Sequence, residues 1–175
     1  MYSAVTVKSR QRRMKDFFNL DGSKYIIVGR QSAWQDEMIP PVPTGDETEV
    51  DEMIAAKIIK DQWYVKRLVD PTQEEIDDSI YYKGHYYYHT KIADDAIEHG
   101  CTDVLIVAVL DSDELPLKTF RQIGLQVQVD NNAPVILPEK WSVLPDKGAL
   151  EIIENRKPQP RAADQEEDVY ILINF

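Results

Sequence analysis

The stretch DVLIVAVL at residues 103–110 is an almost unbroken aliphatic run and predicts a central β-strand. A second run, KYIIVG at residues 24–29, predicts another buried strand that is covered on both sides. The segment DVYILINF at residues 168–175 predicts a C-terminal strand that is docked on the rest of the chain. The sequence is therefore expected to be rich in β-structure.

Tyrosines mark a predicted hairpin, SIYYKGHYYYH at residues 79–89. Two short strands would be joined by a tight turn at Lys83 and Gly84, where glycine supplies a positive φ. The tyrosine rings either stack across the strands within the sheet or face a partner protein, and both alternatives stay open. Tyr86 and Tyr88 are predicted partner-binding residues on the second alternative.

About three short helices are predicted between the strands. The segment EVDEMIAAKIIK, residues 49–60, has apolar residues at helical spacing, acids first and lysines last, which favours an amphipathic helix. Shorter helices are expected within residues 10–20 and 90–100. Together with the strands, these helices indicate a β-rich α+β fold in one structural domain that spans residues 1–175.

Residues 30–48 carry three prolines and little periodicity, which predicts a long, ordered surface loop. A loop that supplies a tryptophan and a group of prolines is suited to packing on a partner. The predicted partner-binding residues of this loop are Arg30, Trp34, Met38, Ile39, Pro40, Pro41 and Pro43. In the alternative, Trp34 folds back onto its own core.

Charge argues against nucleic acid and membrane surfaces as partners. Acidic residues outnumber basic ones by 31 to 20, which gives a net charge of −11. KSRQRRMK, residues 8–15, is a local exception that carries five cations. It is either a solvated helix face, a surface for an acidic neighbouring subunit or, third, a nucleic-acid site. No apolar run approaches the ~20 residues that span a bilayer.

No residue pattern predicts an enzyme, a cofactor site or a metal site. The seven glycines form no phosphate-binding loop of a known type. The histidines at 85, 89 and 99 lie near Cys101, but their spacing matches no standard zinc pattern. Cys101 is the single cysteine, so an intrachain disulfide is excluded and synthesis in a reducing cytoplasm is expected.

Three stretches together resemble the baseplate wedge protein family of T-even-type contractile-tailed phages. They are YIIVGRQSAWQDEMIPPVPTGD at residues 25–46, LDSDELPLKTFRQIGLQV at 110–127 and ENRKPQPRAADQEEDVYILINF at 154–175. Their order along the chain is that of the family, and residues 60–104 match poorly. The chain is also shorter than the T-even protein, because the family's long central portion is absent or replaced.

The resemblance implies a layered antiparallel β-sandwich with short helices in flanking loops. It also implies a structural subunit of the tail baseplate, made in the host cytoplasm, that holds neighbouring wedge proteins together. Other wedge proteins would be its partners, and a homodimer is a further option. The alternative from a different class is a small soluble adaptor or regulatory module that binds one partner protein.

Overall fold

The computed structural model describes residues 4–175 of the chain, and this part contains ten strands and four helices. The helices are α1 (Val7–Phe18), α2 (Gln73–Asp77), α3 (Ala93–Glu98) and α4 (Pro138–Ser142). The strands are β1 (Ser23–Gly29), β2 (Ala55–Ile58), β3 (Asp61–Arg67), β4 (Ile80–Tyr82), β5 (His85–Thr90), β6 (Asp103–Leu110), β7 (Phe120–Val129), β8 (Val135–Ile136), β9 (Ala149–Gln159) and β10 (Glu167–Asn174).

The strands form two five-stranded sheets, in the orders β8-β2-β1-β7-β9 and β10-β6-β3-β5-β4. The chain divides into a first unit, residues 4–20, 61–106 and 170–175, and a second unit, residues 21–60 and 107–169. The first sheet lies in the second unit, while β6 and β10 continue from one unit into the other. The predicted β-rich, antiparallel fold with short helices is confirmed. The expectation of one structural domain stays a prediction.

In the second unit, β1 is the central strand of its sheet, with a neighbour on each edge, and all of its residues except Ser23 are buried. Ile27 pairs with Ala56 of β2 on one side and with Gly124 of β7 on the other. The buried core of this unit contains Tyr25, Ile27, Val50, Ala56, Val129 and Ile136. At the end of β1, Gly29 lies where no side chain fits, since an added Cβ would meet the backbone carbonyl oxygen of Asp51 and lie 2.6 Å from Cγ1 of Val50.

In the first unit, one apolar cluster forms around Val65, Tyr87 and Leu105, with half-buried aromatic and aliphatic side chains at its border. Helix α1 begins after Thr6, whose hydroxyl accepts a hydrogen bond from the backbone N–H of Ser9 at 3.2 Å. The helices predicted within residues 10–20 and 90–100 are present as α1 and α3, but they begin and end at other residues than predicted.

The helix predicted at residues 49–60 is wrong. Glu52 has a positive φ of 43°, which no helix accommodates, and a strand, β2, follows at Ala55–Ile58. Strand β2 lies between β1 and β8 in its sheet, and its consecutive residues Ala55, Ala56 and Lys57, whose side chains alternate between the two faces, are all buried. Lys57, which helical spacing would place on a polar surface, is 8% exposed and pairs with Asp111 and Glu114.

Candidate partner-binding surfaces: the arm and the tyrosine hairpin

Residues 30–48, here called the arm, follow β1 and contain no helix or strand. The arm begins at Arg30, whose backbone has a left-handed φ of 51°. Nη1 of Arg30 lies 2.8 Å from Oδ2 of Asp51. The Ser32 hydroxyl and backbone N–H both donate to the Glu52 carboxylate, the latter at 2.7 Å. These hydrogen bonds lower the pKa of Glu52 and fix the start of the arm.

Trp34 packs inside the protein at the base of the arm. The residue is 8% exposed, and its Nε1–H donates to the carbonyl oxygen of Arg156 at 2.8 Å. The Arg30 guanidinium lies over the ring, with Cζ 3.8 Å from the ring centroid, which is a cation–π contact. These are the contacts of the alternative in which Trp34 packs on its own chain, and through them the ring supports the arm.

Strands β7 and β9 hold the middle of the arm. Nε of Arg121 donates to both carboxylate oxygens of Glu37, at 2.8 and 2.9 Å, and Nη1 donates to the Gln31 carbonyl at 2.6 Å. The hydrogen bond from Arg121 holds the pKa of Glu37 below its usual range. From β9, the Asn155 side-chain amide donates to the carbonyl of Pro41 at 2.8 Å. The arm is therefore attached to the sheet along most of its length.

The tip of the arm, residues 38–42, is apolar and open to solvent. Met38 is 67% exposed, Ile39 73% and Val42 86%. Two prolines between Ile39 and Val42 restrict the backbone, because each fixes its own φ. A group of large apolar side chains held in a defined, exposed position is typical of a binding surface.

The predicted partner-binding residues of the arm separate into two groups. Arg30 and Trp34 lie at the base and contact their own chain. The remaining residues lie at or beside the tip and are exposed or half-buried: Met38, Ile39, Pro40, Pro41 and Pro43. Val42 also lies at the tip but was not among the predicted residues, although its position between two prolines placed an apolar side chain in the predicted loop. Which of these residues contact a partner stays a prediction.

The tyrosine hairpin consists of β4 and β5, joined at Lys83 and Gly84, which have positive φ values of 46° and 82°. The predicted hairpin and its turn are thus confirmed. Tyr86 pairs across the strands with Tyr81, and their ring centroids are 5.0 Å apart. Tyr81 is 62% exposed and was not predicted as a site residue. The two rings form a small aromatic surface on the outside of the hairpin.

Tyr88 is engaged within its own unit. Its hydroxyl donates to Oδ2 of Asp95 at 2.7 Å, and its ring stacks on His99 with centroids 4.3 Å apart. Burial, and then the hydrogen bond to Asp95, raise the pKa of Tyr88, while the same bond lowers the pKa of Asp95. Tyr88 and His99 also line a cavity of about 480 Å³ together with acidic side chains of the segment that includes α2.

In the part of the chain that the structure describes, His85, His89, His99 and Cys101 do not form a metal-binding group. Cys101 is buried, and burial raises the pKa of its thiol to about 11, the opposite of what activates a nucleophile. Within residues 4–175, no group of three or more His, Cys, Asp or Glu side chains is placed to hold a metal ion. Within the same residues, no helix has the length and apolar character needed to cross a membrane.

The chain is similar to a virion protein and matches a baseplate family. "Virion protein 3" of Enterococcus phage phiEF24C is 29% identical over 165 residues, which are 91% of this chain and 88% of that protein. This similarity is to a protein of a phage particle. Residues 2–175 match the family described as "Baseplate wedge 3 tail fiber network component". The chain belongs to this family.

Family membership confirms the resemblance to baseplate wedge proteins that the three sequence stretches indicated. The chain is a structural component of the phage virion and is located in the tail baseplate. As a baseplate component, it associates with other baseplate proteins. The arm and the tyrosine hairpin are the candidate surfaces for this association.

Proposed function

We propose that this chain holds neighbouring wedge proteins together in the baseplate and that the tip of the arm is its main contact. The observation that carries this proposal is an exposed apolar tip on a base fixed by ion pairs and hydrogen bonds. Such a tip is ordered before it binds, so association costs little further conformational entropy. The chain would act by binding alone, without a catalytic step.

The tip is large enough to matter for binding but too small to form a whole interface. Complete burial of Met38, Ile39 and Val42 would contribute about 1.5–3 kcal/mol each, or roughly 5–9 kcal/mol together. Loss of overall motion on association costs an estimated 4–15 kcal/mol. We therefore expect the tip to be a hot spot within a larger contact surface.

The tyrosine hairpin is our second proposed contact. Tyr81 and Tyr86 present neighbouring rings on its outside, and tyrosine is enriched in interfaces because it buries a large area while keeping a polar end. Tyr88 is a weaker candidate, because Asp95 and His99 already occupy its hydroxyl and its ring.

The test replaces the apolar side chains of the tip in the variant M38S/I39S/V42S. A matched control, V69S/L117S/V143S, removes three apolar side chains that are 80%, 48% and 77% exposed outside the arm. Each variant is mixed with the other wedge proteins of its phage, and the mass of the complex is measured by light scattering. We expect the tip variant to lose the complex and the control to retain it.

A tip variant that assembles as completely as the unmodified chain would refute the role of the arm. Light scattering of the chain alone tests the homodimer separately. A monomer leaves binding to other wedge proteins as the only association we propose, whereas a dimer adds self-association to it.

A further inference from the structure

Helix α1 is fixed in its unit by an apolar side. Met14 is completely buried and Phe17 is 6% exposed. The ring of Phe17 lies 5.5 Å from that of Phe175, and the ring of Phe18 stacks on Tyr64 at 4.0 Å. The opposite side of α1 is therefore held in a defined position in its unit.

A groove runs along α1 beside α3, with a volume of about 360 Å³. Its lining consists of Lys8, Gln11, Arg12, Lys15, Asp16 and Ile97. The three cations are spaced i, i+4 and i+7, so they form one stripe along the helix. Ile97 is 40% exposed and gives the groove an apolar floor, to which the methylene stems of the basic side chains add. The Gln11 amide donates to the Ile97 carbonyl at 3.3 Å and joins the two helices.

The cations of the groove are not neutralised by the chain itself. In the part of the chain that the structure describes, ion pairs to Lys8, Arg12 and Lys15 are absent, whereas nearby Arg10 pairs with Asp103. Asp16 is the one carboxylate among the lining residues, so the groove remains cationic. It therefore presents positive charge to solvent on a protein whose net charge is −11.

At the start of α1, the arrangement of these charges works against the helix. The first turn of α1 contains no acidic residue, and Lys8 lies near the N-terminus, where the helix dipole disfavours a cation. Lys8 and Arg12 are also like charges one turn apart, which repel each other. Lys15, in the last turn, is placed favourably for the dipole, so local stability gives no reason only for the N-terminal part of the stripe, and binding an anionic partner would supply one.

We infer that the groove docks an acidic segment of another protein. The segment would place carboxylates against the stripe and an apolar side chain on Ile97. The apolar floor favours a peptide over a nucleic acid, because a phosphate backbone offers nothing to bury there. The high negative charge of the rest of the chain also repels a long polyanion more than a short acidic segment. This contact is independent of the arm, which lies in the other unit.

The test measures binding of labelled peptides to the full chain by fluorescence anisotropy. The probes are a small panel of peptides with glutamates spaced i, i+4 and i+7 around one leucine, scrambled peptides of the same composition, and a short single-stranded oligo-dT. The groove variant is K8Q/R12Q/K15Q. The control R13Q/K118Q/K140Q also removes three exposed or half-exposed cations, but none of them lines the groove.

We expect patterned peptides to bind more tightly than scrambled ones, and the groove variant to bind them roughly tenfold more weakly than the control. Circular dichroism should show both variants folded, because the substituted side chains lie outside the core. If both variants lost the same peptide affinity, the change in net charge alone would explain the effect, and the inference would be overturned. Tighter binding of oligo-dT than of any peptide would overturn it in favour of a nucleic-acid site. Absence of binding to every peptide would also overturn it.

Discussion

Replacing Trp34 with alanine tests the base of the arm, and we expect it to lower the free energy of unfolding by about 3–5 kcal/mol. The residue is 8% exposed, so the substitution leaves a cavity where the ring packs. It also leaves the Arg156 carbonyl without its donor and removes the ring beneath the Arg30 guanidinium. W34F keeps one aromatic ring in place of the two-ring indole and loses the N–H, so its expected cost is smaller, about 1–2 kcal/mol.

Urea unfolding followed by circular dichroism measures both costs. With a slope of about 2 kcal/mol per molar urea, the midpoint should fall by about 2 M for W34A and by about 0.5–1 M for W34F. An unchanged slope is required for this comparison. A shift for W34A below about 0.5 M would refute the burial of Trp34 as a support for the arm. Equal shifts for W34A and W34F would refute the contribution of ring packing.

The remaining predictions concern three other positions of the chain. G29A should lower the free energy of unfolding by about 1–3 kcal/mol in urea titrations, because the added methyl group meets the backbone carbonyl oxygen of Asp51 and the Val50 side chain. Cys101, whose thiol pKa is raised to about 11 by burial, should resist iodoacetamide near pH 8 until the protein unfolds. Because the unfolded thiol ionises first, the stability that this group contributes should fall as pH rises from about 9 through about 11. Y88F should raise the pKa of Asp95 towards its ordinary value in an NMR titration, since the tyrosine hydroxyl is the main cause of its lowering.

Each of these predictions has its own control. A V50A background should relieve only part of the cost of G29A, because the contact with the Asp51 backbone remains, and a G29A variant as stable as the unmodified chain would contradict the proposed clash. C101A should weaken the loss of stability at high pH, and an unchanged loss would assign it to other groups. Y86F should leave the Asp95 pKa unchanged, and an equal response to both tyrosine substitutions would contradict the specific hydrogen bond.

Local signals made part of the fold predictable. The aliphatic runs that became β1 and β6 and the Lys83-Gly84 turn of the hairpin each depend on a few adjacent residues. The segment 49–60 misled because β2 is buried on both faces and its apolar residues are contiguous, which fits a helix as well as a strand. The interruption at Glu52, where φ is positive, was marked in the sequence by a single turn residue, Asp51.

The position of the arm was predictable from the sequence, but the contacts that hold it in place were not. Prolines and exposed apolar residues marked the arm in the sequence, whereas its braces join residues far apart along the chain. Glu37 and Arg121 are separated by 84 positions, and Trp34 and Arg156 by 122. No local pattern relates such residues, because their contact exists only after the strands have paired. For the same reason, the sequence did not show that Trp34 is buried and supports the arm, instead of being an exposed contact residue.

The braces of the arm also determine how it would carry a mechanical load. A pull on the tip is shared among the Glu37–Arg121 pair, the Asn155–Pro41 hydrogen bond and the buried Trp34. Strands β7 and β9, which receive this load, are paired along most of their length, so the force is spread over a ladder of backbone hydrogen bonds. A joint of this design stays stiff under small displacements and yields only when several bonds break together.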